Sequence, residues 1–279
     1  MTPGPVTAVE PMIDLDAYLA RIGLDPASHP SWQAIHRAQV MAIPFENLDA
    51  HGGRPVSLVQ ADLEDKLVHR RRGGYCFEHN LLLGAALRRL GLEVEAMLGR
   101  SRSGSPPPGG RPATHVLLRV TDQTGCRWHA DAGFGPGTLL EPIPFGPGGE
   151  HEQDGWRYRV VADDDELVLQ VAGSGGFVDL YGFVPTPVPR VDLEVGNWWV
   201  CTSPRSAFVS GLIVGVSHGD GAREVLSDWS GSLRRIVRTP AGSTETAEAP
   251  ARLPALLADR FGLPGFEIGA DGRIVAAGT

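Results

Sequence analysis

The hydrophobic pattern of this chain changes its period once, and this change limits the folds that the chain can adopt. Up to Leu90, apolar residues recur at three- and four-residue intervals, a spacing that predicts amphipathic helices. From His115 to Val200, short apolar runs alternate with turn clusters such as FGPGGEHEQDG, which is typical of a small antiparallel sheet or barrel. The sequence therefore predicts helices first and a sheet or barrel after them.

Capping and terminating residues set the predicted bounds of the helices. A first helix closes at Gly23, and Ser31 is the predicted N-cap of a second helix that stops at Pro44. Ser57 is expected to cap a third helix. The strongest helical pattern runs over residues 75–90, with one apolar face, and ends at a glycine.

The later part of the chain is less regular. The Pro/Gly/Ser-rich stretch at 101–113 predicts a mobile loop. Residues 208–216 have the pattern of a strand, and residues 253–261 have that of a short helix.

Composition narrows the functions that the chain can have. Its 279 residues carry a net charge of −8, which argues against binding to nucleic acid or to anionic lipid. No apolar run approaches the roughly 18 residues needed to span a bilayer. The N-terminus lacks the pattern of a signal peptide, so we expect a cytoplasmic protein that binds neither nucleic acid nor membranes. Three widely spaced cysteines do not indicate a disulfide framework.

One cysteine lies at a position that favours chemistry. RRGGYCFEHN puts Cys76 directly after a glycine pair and an aromatic residue, at the start of the helix predicted over 75–90. Unpaired backbone N–H groups and the positive end of the helix dipole favour a thiolate there. Arg71 and Arg72 act in the same direction, whereas Glu78 opposes it. The alternative interpretation is a buried structural cysteine.

A predicted hairpin pairs a histidine with an aspartate. HVLLRV, the turn TDQTG and CRWHAD form two strands that are symmetrical about Gln123, which places His115 opposite Asp131. The same register puts Cys126 on the apolar face beside Trp128, as a core residue. An ordinary surface His–Asp pair is the alternative interpretation, and the pair becomes meaningful only beside a nucleophile.

A nucleophilic thiol needs a base, and the base needs an orienting group. Cys76, His115 and Asp131 follow in that order along the chain, while Cys201 has no evident partner and is read as structural. The sequence alone does not establish that Cys76 meets His115 in space.

Five motifs in order carry a resemblance to a known family. They are IPFENLD at 43–49, RRGGYCFEHN at 71–80, THVLLRV at 114–120, DAGFG at 131–135 and NWWVCTSPRSAF at 197–208. This set resembles the arylamine N-acetyltransferases over about residues 12 to 215. A single such motif would carry little weight, but their order and spacing make coincidence improbable.

The resemblance implies an α+β fold of three domains with a triad arrangement like that of cysteine proteases. Residues 1–95 would form a helical bundle carrying the nucleophile, 96–205 an antiparallel β-barrel carrying the histidine and the aspartate, and 206–279 an α/β lid. The implied triad is Cys76, His115 and Asp131.

The implied reaction is ping-pong acyl transfer in xenobiotic metabolism. Acetyl-CoA, a donor substrate and not a bound cofactor, acylates Cys76, and CoA leaves. An arylamine, arylhydroxylamine or hydrazine then takes the acetyl group, with His115 removing the amine proton. No metal is implied, and the partners are a small-molecule amine and coenzyme A, with the protein a monomer or a weak homo-oligomer.

Supporting roles follow from the same resemblance. Glu46 and Arg72 match an ion pair that braces the wall of the site. The expected substrate or CoA contacts are the aromatic residues Phe45, Tyr75 and Phe134, the close-approach glycines Gly133 and Gly135, and the CoA contacts Thr114 and Phe208.

Two alternatives stay open at this point. An amide synthase that closes macrolactams from a carrier-bound acyl donor would keep the fold and the triad, and the loop at 101–113 would accommodate a bulky donor. A zinc-binding structural protein would use the pairs Cys76-x-x-His79 and Cys126-x-x-His129. On a strand, however, residues three apart point to opposite faces, so the second pair would need a bulge.

Overall fold

The structure is a computed structural model that describes residues 12–104, 110–269 and 273–277. Within these ranges the α-helices are α1 (Leu15–Arg21), α2 (Trp32–Ala42), α3 (Leu48–His51), α4 (Gln60–Glu64), α5 (Cys76–Arg89), α6 (Arg190–Thr202), α7 (Ala207–Ser210) and α8 (Leu253–Phe261). A π-helical turn, Asp65–His69, continues α4. No helix in these ranges is long and apolar enough to cross a membrane.

The strands are almost all antiparallel. They are β1 (Phe45–Glu46), β2 (Glu93–Ser101), β3 (His115–Thr121), β4 (Arg127–Ala130), β5 (Ile143–Pro144), β6 (His151–Gln153), β7 (Trp156–Asp163), β8 (Glu166–Gly173), β9 (Gly176–Phe183), β10 (Ile213–Ser217), β11 (Arg223–Ser227), β12 (Arg234–Thr239), β13 (Gly242–Ala247), β14 (Phe266–Ile268) and β15 (Ile274–Ala276).

These strands form sheets of eight, five and two strands in the described residues. The eight-stranded sheet has the order β5-β4-β3-β2-β9-β8-β7-β6, and β14 pairs with β15. The five-stranded sheet, β1-β10-β11-β12-β13, combines a short N-terminal strand with C-terminal ones. N-terminal helices, a central antiparallel sheet and a C-terminal α/β part confirm the α+β class.

The bounds of the predicted helices agree with the structure except at α4. The sheet or barrel predicted from His115 to Val200 was wrong at its end, where α6 forms instead. Helix α1 ends just before Gly23, and Ser31 caps α2 by accepting a hydrogen bond from the backbone N of Ala34 at 3.2 Å. The prediction that Ser57 caps the third helix was wrong, because α4 begins at Gln60. The Ser57 hydroxyl instead accepts from the backbone N of Val59 at 3.2 Å and so closes a turn before the helix.

Helix α5 is buried on almost every side. It matches the helix predicted over 75–90 and ends before Gly91, which has a φ of +83°. It packs against β2 and β3 on one side and against the N-terminal helices on the other. The single apolar face of the prediction was therefore too narrow, and Leu90, which it included, is 36% exposed at the end of the helix.

The hairpin of β3 and β4 has a different register from the predicted one. Leu118 pairs with Ala130 and Val120 with Trp128, so the hairpin is centred on Thr124, one residue later than predicted. Each partner is thereby displaced by two residues, which keeps every side chain on its predicted face. His115 and Asp131 are consequently not directly opposite each other.

The turn chemistry explains this displacement. The Asp122 carboxylate accepts hydrogen bonds from the backbone N of Thr124 at 2.9 Å and of Cys126 at 3.0 Å. These bonds hold Cys126 in the turn, outside β4. The prediction that Cys126 is a core residue was therefore wrong, because its side chain is exposed.

The strand predicted over 208–216 is divided in two. Its first part is helix α7, which Ser206 caps by accepting from the backbone N of Phe208 at 3.2 Å, and β10 starts only at Ile213. The helix predicted over 253–261 is confirmed as α8. Of the predicted loop at 101–113, residues 105–109 lie outside the described residues.

One buried amide joins the N-terminal part to the C-terminal sheet. Asn47, between β1 and α3, donates to the carbonyls of Phe208 at 2.8 Å and Gly211 at 2.7 Å. Its side-chain oxygen accepts from the backbone N of Ile213 at 2.8 Å.

We expect Asn47→Ala to lower the free energy of unfolding by about 3 kcal/mol, because it leaves buried backbone groups unpaired. Urea denaturation measures this loss. The control is Ser243→Ala on the exposed strand β13, which should change stability by less than about 0.5 kcal/mol. Equal, small losses in both variants would contradict the role of Asn47.

Candidate active site

Cys76 is the first residue of α5 and lies between two backbone segments that approach it closely. A Cβ atom on Gly73 would lie 2.2 Å from the carbonyl oxygen of Pro44, and one on Gly133 would lie 2.8 Å from the Cα of Cys76. Glycine at these positions thus lets β1 and the loop after β4 come close to Cys76. The sulfur lies 3.5 Å from the carbonyl oxygen of Thr114.

The histidine and the aspartate meet even though the predicted register was wrong. His115 is the first residue of β3, and Asp131 directly follows β4. The Nε2 of His115 lies 2.7 Å from the Oδ2 of Asp131. The other ring nitrogen, Nδ1, is left for the hydrogen bond between His115 and the side chain of Cys76. The three groups expected to form a triad are therefore adjacent in space.

The Asp131 carboxylate is completely buried and is held by further donors. Oδ2 also accepts from the Tyr181 hydroxyl at 2.7 Å, and Oδ1 accepts from the Asn80 side chain and the Gly133 backbone N, both at 2.9 Å. Burial alone would raise the pKa of Asp131, but the charge of His115 and these hydrogen bonds hold it well below its usual range. Asp131 is therefore ionised.

The charge of Asp131 changes the titration of its partner. Burial lowers the pKa of His115, but the charge of Asp131 and the hydrogen bonds with Asp131 and Cys76 together outweigh burial and raise the pKa from 6.5 to about 9. His115 is therefore protonated at neutral pH. It forms an ion pair with Asp131 and presents an N–H to Cys76.

Two neutral histidines orient Asp131, one by a direct hydrogen bond and the other through the hydroxyl of Tyr181. The Nε2 of His36 accepts from the backbone N of Asp131 at 3.1 Å, so its Nδ1 donates to the carbonyl of Leu140 at 3.2 Å. Since the Tyr181 hydroxyl donates to Asp131, the Nε2 of His129 is the donor in its 2.7 Å bond to that hydroxyl. Burial lowers the pKa of each of these histidines to about 4.

These orienting residues were not predicted. Asn80 had a usable signal, because it lies four residues after Cys76 on one helix and shares its face. Tyr181 had none, since β9 brings it to the site from a distant part of the sequence.

A cavity of about 440 Å³ opens beside Cys76 and His115. Its aromatic and aliphatic walls include Phe45, Phe134, Leu180, Phe208, Ile213, Val225, Trp229 and Ile236. Arg234 and Arg238, both on β12, supply positive charge, and none of the described lining residues is acidic. The sequence did not predict Trp229 or the two arginines, because no motif covers that part of the chain.

The other expected contacts divide between this cavity and the core. Of the expected contacts, those that line the cavity are Thr114, Gly133, Phe45, Phe134 and Phe208. Tyr75 is buried, and its hydroxyl donates to the side-chain oxygen of Asn197. Gly135 packs against the ring of Phe45 without lining the cavity.

The expected ion pair of Glu46 and Arg72 is present, with an Nη2–Oε1 distance of 2.6 Å. Because Glu46 is completely buried and adjoins the glycine pair before Cys76, the pair fixes the base of the cavity wall.

The residues that the zinc alternative requires as ligands make other contacts. Nε2 of His79 bonds to the carbonyl of Pro44 at 3.1 Å, His129 bonds to Tyr181, and Cys126 is exposed. No group of three or more histidine, cysteine, aspartate or glutamate residues in the described ranges could hold a metal ion. That alternative thus lacks a ligand set there.

The raised pKa of His115 predicts how stability depends on pH. The ion pair with Asp131 contributes its full stabilisation below pH 6.5, the ordinary pKa, and loses it as pH rises through about 9. We expect the advantage of the wild type over His115→Gln in free energy of unfolding to shrink by up to about 3 kcal/mol across this range. Urea denaturation at a series of pH values tests this, and parallel curves would contradict it.

Comparisons with known proteins agree with this geometry. The N-acetyltransferase family model matches residues 30–264. The arylamine N-acetyltransferase of Mycolicibacterium smegmatis is 40% identical over 262 residues, which cover 90% of this chain and 92% of that protein.

Solved structures give the same result. The arylamine N-acetyltransferase of Nocardia farcinica is 40% identical with a TM-score of 0.82, covering 93% of this chain and 92% of its own. That of Mycobacterium marinum, solved in complex with CoA, is 36% identical with a TM-score of 0.82, covering 90% and 93%. These similarities do not favour the amide synthase. The chain belongs to the arylamine N-acetyltransferase family.

Proposed function

We propose that this protein transfers an acetyl group from acetyl-CoA to an arylamine, arylhydroxylamine or hydrazine through an acetyl-Cys76 intermediate. The observation that carries the proposal is the contact of His115 with Asp131 at 2.7 Å, which turns the second ring nitrogen of His115 towards Cys76 at the wall of the cavity. In this proposal Cys76 is the nucleophile, His115 the proton carrier and Asp131 the orienting group.

The first half-reaction needs a thiolate and a proton donor. The sulfur of Cys76 attacks the thioester carbonyl of acetyl-CoA, a C–S bond to Cys76 forms, and the C–S bond to CoA breaks. The leaving CoA sulfur takes the proton of the His115 imidazolium. Unpaired N–H groups at the start of α5 favour negative charge on and near Cys76 during the attack.

The second half-reaction returns the proton. The amine nitrogen attacks the acetyl-Cys76 carbonyl, the neutral imidazole of His115 takes the amine proton, and the sulfur leaves as a thiolate. The imidazolium is thereby restored. Asp131 keeps Nδ1 of His115 directed at the reacting atoms in both halves.

The cavity suits both substrates. Phe134 and Phe208 offer ring faces for an aromatic amine. Arg234 and Arg238 lie on the β12 side of the cavity, where positive charge matches the phosphate groups of CoA. The M. marinum relative, solved in complex with CoA, supports CoA as the donor here.

The domain boundaries, the oligomeric state and the cellular location are also part of the proposal. The division into a helical bundle (1–95), a β-barrel (96–205) and an α/β lid (206–279) stays a prediction. A monomer or weak homo-oligomer in the cytoplasm is likewise part of the proposal.

Intact mass spectrometry after incubation with acetyl-CoA tests the proposed intermediate. We expect the wild type and Cys126→Ala to gain one acetyl group, and Cys76→Ala to gain none. Addition of an arylamine should remove the group from the first two proteins. Acetylation of Cys76→Ala would overturn the mechanism, and a wild type that gains no acetyl group would overturn the donor.

The basic side of the cavity gives a separate prediction. Arg234→Ala and Arg238→Ala should each raise KM for acetyl-CoA about tenfold, because a charged hydrogen bond is lost, with a smaller effect on kcat. Arg157→Ala removes an exposed arginine that does not line the cavity and serves as the control. An unchanged KM in both test variants would exclude these arginines from donor binding.

A further inference from the structure

A group of charged side chains, most of them buried, lies beneath the first turn of α5. Its members, here called the buried charge cluster, are the carboxylates Glu46, Asp49 and Glu78 and the cations Arg54, Lys66 and Arg72. Lys66 is the chain's only lysine and is 7% exposed. A buried lysine is unusual, because its desolvation must be offset by paired charges.

The cluster reaches the nucleophile through Glu78. This residue lies two positions after Cys76 in the first turn of α5 and is 1% exposed. Its Oε2 accepts from the backbone N of Tyr75 at 3.0 Å, which fixes the carboxylate against the start of the helix. A negative charge held there opposes the formation of a second negative charge on the sulfur of Cys76.

Lys66 is the cation that neutralises this carboxylate. Its Nζ lies 2.6 Å from Oε1 of Glu78 and 2.6 Å from Oδ2 of Asp49. Arg72 pairs with the other two carboxylates of the cluster, and Arg54 pairs with Asp49 alone. Within the described residues, Lys66 is the partner in the only salt bridge that Glu78 forms.

We propose that Lys66 is a positioning residue for acyl transfer, whose ammonium balances the Glu78 carboxylate so that negative charge can form on Cys76. This inference rests on the proposed role of Cys76 as the nucleophile. Lys66 touches neither substrate nor sulfur and acts through Glu78. A purely structural lysine would affect stability but not the pH dependence of the thiol.

The titration of Glu78 is coupled to Lys66. Burial raises the pKa of Glu78 to about 7, although the charge of Lys66 lowers it. Without Lys66 the pKa of Glu78 would rise further, and Glu78 and Cys76 would compete for one negative charge in the pH range where Glu78 ionises. The titratable and charged groups that face these two acids are Lys66, Glu46, Tyr75 and His115. Cys201 lies against Tyr75, and Arg72 and Asp49 lie behind Glu46 and Lys66.

The test measures the rate of iodoacetamide alkylation of Cys76 against pH. All proteins carry Cys126→Ala, because that thiol is exposed, and peptide mass spectrometry identifies the alkylated residue. We expect Lys66→Met to react about tenfold more slowly at alkaline pH, where Glu78 is ionised, with its half-maximal rate at higher pH. Lys66→Arg, which keeps the charge, should react like the parent.

A double variant separates charge from structure. Lys66→Met with Glu78→Gln removes both charges, while the glutamine oxygen can still accept from the backbone N of Tyr75. Its alkylation profile should return to that of the parent. The matched control Arg54→Met removes a cation from the exposed side of the cluster and should leave the profile unchanged.

Defined results would overturn the inference. The first is an alkylation profile of Lys66→Met that matches that of the parent. The second is a double variant whose half-maximal rate lies at as high a pH as that of Lys66→Met. If Lys66→Met does not fold, Glu78→Gln decides, because it removes the negative charge beside Cys76 while Lys66 keeps its pair with Asp49. It should move the half-maximal rate to lower pH, and no movement would refute the proposal. Alkylation needs no acetyl-CoA, so failure of acetylation would refute the proposed function without affecting this result.

Discussion

The buried carboxylate of Asp131 is the group on which the site depends. A completely buried charge is tolerated only when it is paired and hydrogen-bonded, and Asp131 meets this requirement with donors from separate elements. His115 comes from β3, Tyr181 from β9 and Asn80 from α5. Each element must hold its register for its donor to reach the carboxylate. The bonds that orient His115 therefore also join helix α5 to the central sheet.

The second constraint is the short strand β1. Its residues, Phe45 and Glu46, pair with β10 of the C-terminal part, and Glu46 also donates from its backbone N to the carbonyl of Gly74 at 2.8 Å. This strand thus ties the segment before Cys76 to the five-stranded sheet. The cavity opens where the helices, the central sheet and the C-terminal sheet meet, a common position for binding sites. Its walls exist only when all three parts are assembled.

Local sequence signals predicted several helices and the position of Cys76 at the start of α5. Caps, terminating glycines and apolar spacing depend on neighbouring residues, so α1, α2 and α5 could be read directly. The contact of His115 with Asp131 was predicted from a register centred on Gln123, whereas the hairpin is centred on Thr124. The prediction succeeded because a displacement of two residues preserves the faces of both strands.

The remaining parts of the site depend on long-range packing. Sheet order, which no local spacing encodes, brings Tyr181 to Asp131 and brings Trp229 and Arg234 to the cavity. The net charge of the chain also did not predict the charge of the cavity. The chain carries −8, yet the charged side chains in the lining of the cavity are all cations. Carboxylates paired elsewhere, as in the buried charge cluster, do not contribute to the potential that an anionic donor meets in the cavity. An acidic protein can thus present a basic site, and its ligand is inferred from the lining and not from the total charge.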